Sequence, residues 1–64
     1  MLINGKQVAL KEEKTLMDFL HEEGYSLSRI AVERNGRIVP KAEYGRVMLA
    51  KEDEIEIVSF VGGG

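Results

Sequence analysis

Ile30-Ala31-Val32-Glu33-Arg34-Asn35-Gly36-Arg37-Ile38-Val39-Pro40 is the stretch that decides the fold. Apolar and polar residues alternate from Ile30 to Arg34, as in a strand with one buried face. Asn35-Gly36 follows at once, and both residues tolerate positive φ, so the pair marks a tight hairpin turn. Arg37-Ile38-Val39 returns as the second arm, and Pro40, with no amide hydrogen to donate, ends it. Asn4-Gly5 repeats the signal near the start, joining Met1-Leu2-Ile3 to Gln7-Val8-Ala9-Leu10. The chain therefore opens on one hairpin and carries a second in its middle.

One helix lies between the hairpins. Thr15 is placed as an N-cap, with Asp18 three residues on completing a capping box. Leu16, Phe19 and Leu20 form one apolar stripe at i, i+3 and i+4, and Gly24 closes the helix just past its last turn. Asp18, His21, Glu22 and Glu23 make the wet face, where His21 fits a solvated histidine better than a functional one. After the second hairpin, Arg46-Val47-Met48-Leu49 reads as a short strand and Lys51-Glu52-Asp53 as a charged turn. Glu54-Ile55-Glu56-Ile57 then alternates, sending Ile55 and Ile57 to the core and both glutamates to water. A single helix on one face of a mixed sheet is an α+β architecture.

Length and composition narrow the function. With 64 residues the chain makes one domain, and at this size folding buries only about 60% of the unfolded surface. So thin a core leaves little scaffold for a deep substrate pocket, which argues against a self-sufficient enzyme. A composition 44% hydrophobic and 31% charged is that of a globular domain rather than a disordered one. The run Ile57-Val58-Ser59-Phe60-Val61 falls far short of the ~20 apolar residues that span a bilayer. No basic-then-apolar leader opens the sequence, and a cytoplasmic location is expected. The net charge of −2, with scattered Lys and Arg, offers no basic stripe for nucleic acid. Without cysteine and with one histidine, thiolate and structural zinc sites are not expected. Ser26, Ser28, Ser59 and His21 have no spacing that suggests a hydrolytic triad.

The last residues, Val61-Gly62-Gly63-Gly64, follow directly on a hydrophobic strand. Glycines make a thin, pliable segment that can enter a narrow channel extended, and a carboxylate on Gly64 would have no side chain beside it. Converted to an acyl adenylate, it would be open to a sulfur nucleophile that displaces AMP and leaves a thiocarboxylate. The absence of an internal thiol is compatible with that chemistry. Read from the residues alone, the glycines fit a frayed end or a linker equally well. Val58 and Phe60 alternate away from the face of Ile55 and Ile57. Together with Val61 they form an apolar base for the tail that would suit docking; alternatively Phe60 closes the core at the end of the sheet. Arg46 and Lys51 are open to an acidic partner or to solvent alone.

Two segments carry a family resemblance. Ile30 to Pro40 resembles the VAVExNGxIVP stretch of ThiS-type sulfur carriers. Asp53-Glu54-Ile55-Glu56-Ile57-Val58-Ser59-Phe60-Val61-Gly62-Gly63-Gly64 resembles their D-x-(V/I)-E-I-V-x-x-V-G-G-G ending. Asn4-Gly5 and the helix around Leu16 and Leu20 sit where that family has them, so the likeness covers essentially the whole chain, while Lys41 to Arg46 departs from it. The resemblance implies a ubiquitin-like β-grasp fold with the first and last strands side by side: a domain over residues 1–61 and a flexible carrier tail over 62–64. It implies no active site and no cofactor. Gly64 would be the modified residue, and Gly62, Gly63, Val58, Phe60 and Val61 would meet partners. Those partners would be a ThiF-type adenylating enzyme, a cysteine desulfurase as sulfur source, and a ThiG-type thiazole synthase that takes the sulfur for thiamin.

Rival readings share parts of this pattern. The small subunit of molybdopterin synthase has the same tail chemistry but tends to be longer, with a different ending. A carrier for another sulfur pathway or a ubiquitin-like modifier would also start with adenylation of a terminal glycine. A β-grasp binding module would need no glycine terminus and would normally show a marked surface.

Overall fold

Asn4 and Gly5 have φ of 51° and 83°, and Asn35 and Gly36 have 53° and 84°. Two successive positive φ angles make a type I′ turn, whose twist suits the strands it joins. The first turn pairs β1 (Leu2–Ile3) with β2 (Lys6–Gln7), and the second pairs β3 (Ile30–Arg34) with β4 (Arg37–Val39). The computed structural model, which describes residues 1–60, adds β5 (Glu54–Ser59) between the hairpins and gives the order β2-β1-β5-β3-β4. β5 runs parallel to β1 and antiparallel to β3. First and last strands thus lie side by side, as the resemblance implies.

Helix α1 (Leu16–Glu22) covers one face of the sheet. Its capping box is complete: the Asp18 amide donates to Thr15 Oγ1 at 3.0 Å and the Thr15 amide donates to Asp18 Oδ2 at 3.3 Å. Gly24, at φ 79°, follows the cap residue Glu23. Leu16, Phe19 and Leu20 pack on Ile30, Val32, Ile55 and Ile57 in one core, each contributing about 1.5–3 kcal/mol of transfer free energy.

Two expected strands differ. The second arm of the first hairpin is Lys6–Gln7 rather than Gln7 to Leu10. A two-residue turn sets Ile3 opposite Lys6 and Leu2 opposite Gln7. Val8 then exchanges bonds with Met1 at 2.8 and 3.0 Å, and Ala9 and Leu10 lie beyond the ladder. Arg46 to Leu49 forms no strand either, only an isolated bridge between Met48 and Thr15. Its backbone serves the helix entry instead. Leu16 N–H donates to Val47 O, Met17 N–H to Tyr44 O, and Leu49 N–H to Lys14 O. The first two bonds satisfy amides that the start of any helix leaves without an internal partner. Two short 3-10 turns, at Leu27–Arg29 and Lys41–Glu43, complete the connections. The segment from Lys41 to Arg46 also supplies Tyr44, 1% exposed and part of the core.

Asp53 is buried and polar. It accepts from Ala50 N–H at 2.8 Å, from Arg34 Nε at 3.0 Å and from Asn35 Nδ2 at 3.0 Å. Burial alone raises its pKa. The bonds from Ala50, Asn35 and Arg34, with the Arg34 charge, outweigh burial and hold the carboxyl below its ordinary value.

Candidate functional site

β5 leads directly to the glycines, so the site is built from what holds and surrounds its end. Even-numbered residues of β5 direct their peptide groups at β3, and odd-numbered ones at β1. On the β3 side the pairing runs through Val58 opposite Ala31 and Ser59 opposite Ile30. It continues into Phe60, whose N–H donates to Arg29 O at 2.9 Å. Lys41 braces that neighbourhood, donating to Leu27 O at 2.7 Å and Ile30 O at 2.9 Å. On the β1 side, Asn4 N–H donates to Ile55 O at 2.8 Å. The Asn4 side chain then accepts from Ile57 N–H at 2.7 Å and donates to Ile57 O at 3.2 Å.

The face opposite α1 carries the expected alternation. Ile55 and Ile57 are buried and Glu54 and Glu56 exposed. Val58 is 57% exposed and Phe60 44%. Phe60 therefore does not close the core. It stands beside the point where the chain leaves the sheet. Val61, Gly62, Gly63 and Gly64 lie outside the described residues.

Ile38, 75% exposed on β4, joins this face although the sequence reasoning passed over it. Val39 is buried, and period-two alternation from an inward Val39 is the signal that would have found Ile38. Ile38 sits opposite Glu33, which sits opposite Glu56, while Ala31 sits opposite Val58. The face thus passes from acidic, at Glu33, Glu54 and Glu56, to apolar, at Ala31, Val58 and Phe60, in the direction of the tail. Arg46, Lys51 and His21 are exposed and belong to other parts of the surface. Among the described residues no cluster of His, Cys, Asp or Glu is placed to hold a metal ion, and no helix is long and apolar enough to cross a membrane.

The family model for the ThiS family matches residues 1–64. The chain belongs to the ThiS family. Its relatives include both a small sulfur carrier protein and much longer thiazole synthases. The sulfur carrier protein ThiS of Bacillus subtilis is 43% identical over 63 residues, covering 97% of this chain and 96% of its own. A thiazole synthase of Paramagnetospirillum magneticum is 41% identical over 64 residues, all of this chain but 20% of that protein. A thiazole synthase of Magnetococcus marinus is similar, at 39% over 62 residues and 19% of its length. This chain therefore spans about a fifth of the thiazole synthases it resembles. In structure it is similar to the thiamine biosynthesis protein ThiS of Geobacter metallireducens. The TM-score is 0.81 at 23% identity, over 98% of this chain and 96% of that one. That likeness establishes the ThiS β-grasp fold. The ThiS sheet here presents its exposed apolar end where β5 runs out.

Proposed function

We propose that this chain carries sulfur as a thiocarboxylate on Gly64, with residues 1–61 as the folded carrier and residues 62–64 as its tail. ThiS membership across residues 1–64, glycines included, is the observation that carries this reading. A ThiF-type enzyme uses ATP to adenylate the Gly64 carboxylate, whose oxygen attacks the α-phosphorus as pyrophosphate leaves. A hydrosulfide equivalent, drawn from cysteine by a desulfurase, adds to the acyl carbon. AMP leaves, a proton is released, and the thiocarboxylate remains. A ThiG-type thiazole synthase then takes the sulfur, in the cytoplasm. The similarity of the whole chain to part of two thiazole synthases supports that acceptor. The carrier acts as a co-substrate.

Val58, Phe60 and Val61 are the docking residues at the base of the tail, and Gly62 and Gly63 enter the partner's channel. The exposure of Val58 and Phe60 beside the last ladder bond supports this role, because exposed apolar clusters mark contact surfaces.

The test is intact mass after incubation with ATP, a ThiF-type enzyme and a sulfur source. The expected result is the exchange of one oxygen for sulfur, mapped to Gly64. Deleting Gly63 and Gly64 should abolish the exchange and leave the fold intact. An unmodified chain beside a ThiF-type enzyme active on its own carrier would reject the reading.

A further inference from the structure

β1 offers β5 only two paired residues, Leu2 opposite Glu54 and Ile3 opposite Ile55. Beyond Ile55, no further β1 residue among the described residues pairs with β5. The Asn4 side chain takes over there. Its amide meets the N–H and C=O of Ile57 as a further peptide unit would, at 2.7 and 3.2 Å. Asn4 can do so because its backbone is left-handed, at φ 51°, and asparagine adopts that conformation readily. Three residues later, Phe60 N–H is held from the other side by Arg29 O.

Resting on the carrier reading above, we propose that Asn4 is a positioning residue for the Gly64 chemistry. It completes the parallel ladder at Ile57 and keeps the end of β5 from fraying, which fixes where Phe60, the last described residue, stands as the root of the tail. A reacting carboxylate several residues beyond that root must reach a partner's nucleotide, and small errors in placement cost rate.

Asn35 provides the control. It clamps the opposite end of β5 from the opposite side. Glu54 N–H donates to its Oδ1 at 2.9 Å, its Nδ2 donates to Asp53, and its own N–H donates to Glu54 O at 2.8 Å. Asn4→Gly and Asn35→Gly each keep a residue that accepts positive φ and each delete a side-chain clamp on β5. Only the first clamp lies at the tail end.

The experiment measures steady-state kinetics of ATP-dependent modification of the full chain, at a temperature where all variants are folded, together with amide hydrogen exchange of Ile57 and Phe60. Asn4→Gly should lower kcat about tenfold with KM within about twofold, because docking is intact and placement is lost. It should also speed exchange at Ile57 and Phe60 by about tenfold through local opening. Asn35→Gly should lose stability while leaving kcat and the exchange at Phe60 unchanged. Asn4→Asp retains the acceptor for Ile57 N–H but faces an anionic oxygen toward Ile57 O, and should follow Asn4→Gly. Equal kcat values in Asn4→Gly and wild type, or equal losses in the Asn4 and Asn35 variants, would overturn the proposal. Should wild type itself stay unmodified, the carrier reading fails. The exchange arm still decides the clamp, with unchanged protection of Ile57 and Phe60 in Asn4→Gly counting against it.

Discussion

The Asn4 side chain and the Ile57 peptide group, 53 positions apart in the chain, exchange two hydrogen bonds. A residue that the sequence marks as a turn former is thus also a strut for the distant strand that carries the tail. Asn35 does the same for Glu54 and Asp53. Both asparagines join local turn geometry to the closure of the sheet, and a two-residue β1 is sufficient for that reason.

Phe60 separates binding from stability. Because it is 44% exposed, Phe60→Glu should change unfolding free energy by about 0.5 kcal/mol or less, as surface substitutions usually do. It should weaken association with an adenylating partner by tenfold or more, about 1.4 kcal/mol. Titration calorimetry beside a denaturation curve reads both, and a large stability loss with unchanged binding would place Phe60 in the core.

Asp53 gives a pH dependence of known sign. Its folded pKa lies below its ordinary value, so the stability it contributes is present above the unfolded value, near 3.8, and is lost as pH falls through the folded value. Asp53→Ala should cost about 3 kcal/mol, since it strips three hydrogen bonds and removes the carboxylate that Arg34 pairs with. Urea midpoints between pH 7 and about pH 2 should fall less steeply in Asp53→Asn than in wild type; parallel slopes would remove Asp53 as a source of acid sensitivity.

Tyr44 tests how much the connection after β4 contributes to the core. The ring is almost fully buried, so Tyr44→Ala should cost about 3–5 kcal/mol, while Tyr44→Phe, which keeps the ring, should stay within about 1 kcal/mol. Burial also raises the phenol pKa above 10.0. The neutral form is favoured in the fold, and wild type should lose stability as pH rises past that value, more than Tyr44→Phe does.

Two glycines differ in what they permit. Gly36 has φ 84°, with open space around an added Cβ, so Gly36→Ala should cost about 1 kcal/mol from backbone strain alone. At Gly45 an added Cβ would meet only Met17 Cε, at 3.9 Å, and Gly45→Ala should be close to neutral. Thermal melts of the pair check this directly.

Local chemistry made much of this protein legible in its sequence. Both Asn-Gly turns, the Thr15–Asp18 box, the Leu16, Phe19 and Leu20 stripe and the alternation of β5 depend on neighbours within a few residues. Each appears in the structure because those short-range preferences agree with the global packing. The same period-two rule that turned Ile55 and Ile57 inward placed Val58 and Phe60 on the open face. It also places Ile38 there, next to the inward Val39.

What joins distant positions came from packing. Arg46 to Leu49 has a strand's composition but brackets the entry to α1, because the backbone groups of Lys14, Leu16 and Met17 need partners there. Burial of Tyr44 and Asp53, and the choice of Ile57 as the partner of Asn4, follow from strand order, and no local pattern encodes strand order. Which segments turn, curl or extend is a local matter, since those preferences are set by φ, side-chain shape and periodicity within one or two turns of chain. Folding decided which of those segments meet, since a hydrogen bond between residues 4 and 57 exists only once β5 has closed between the two hairpins.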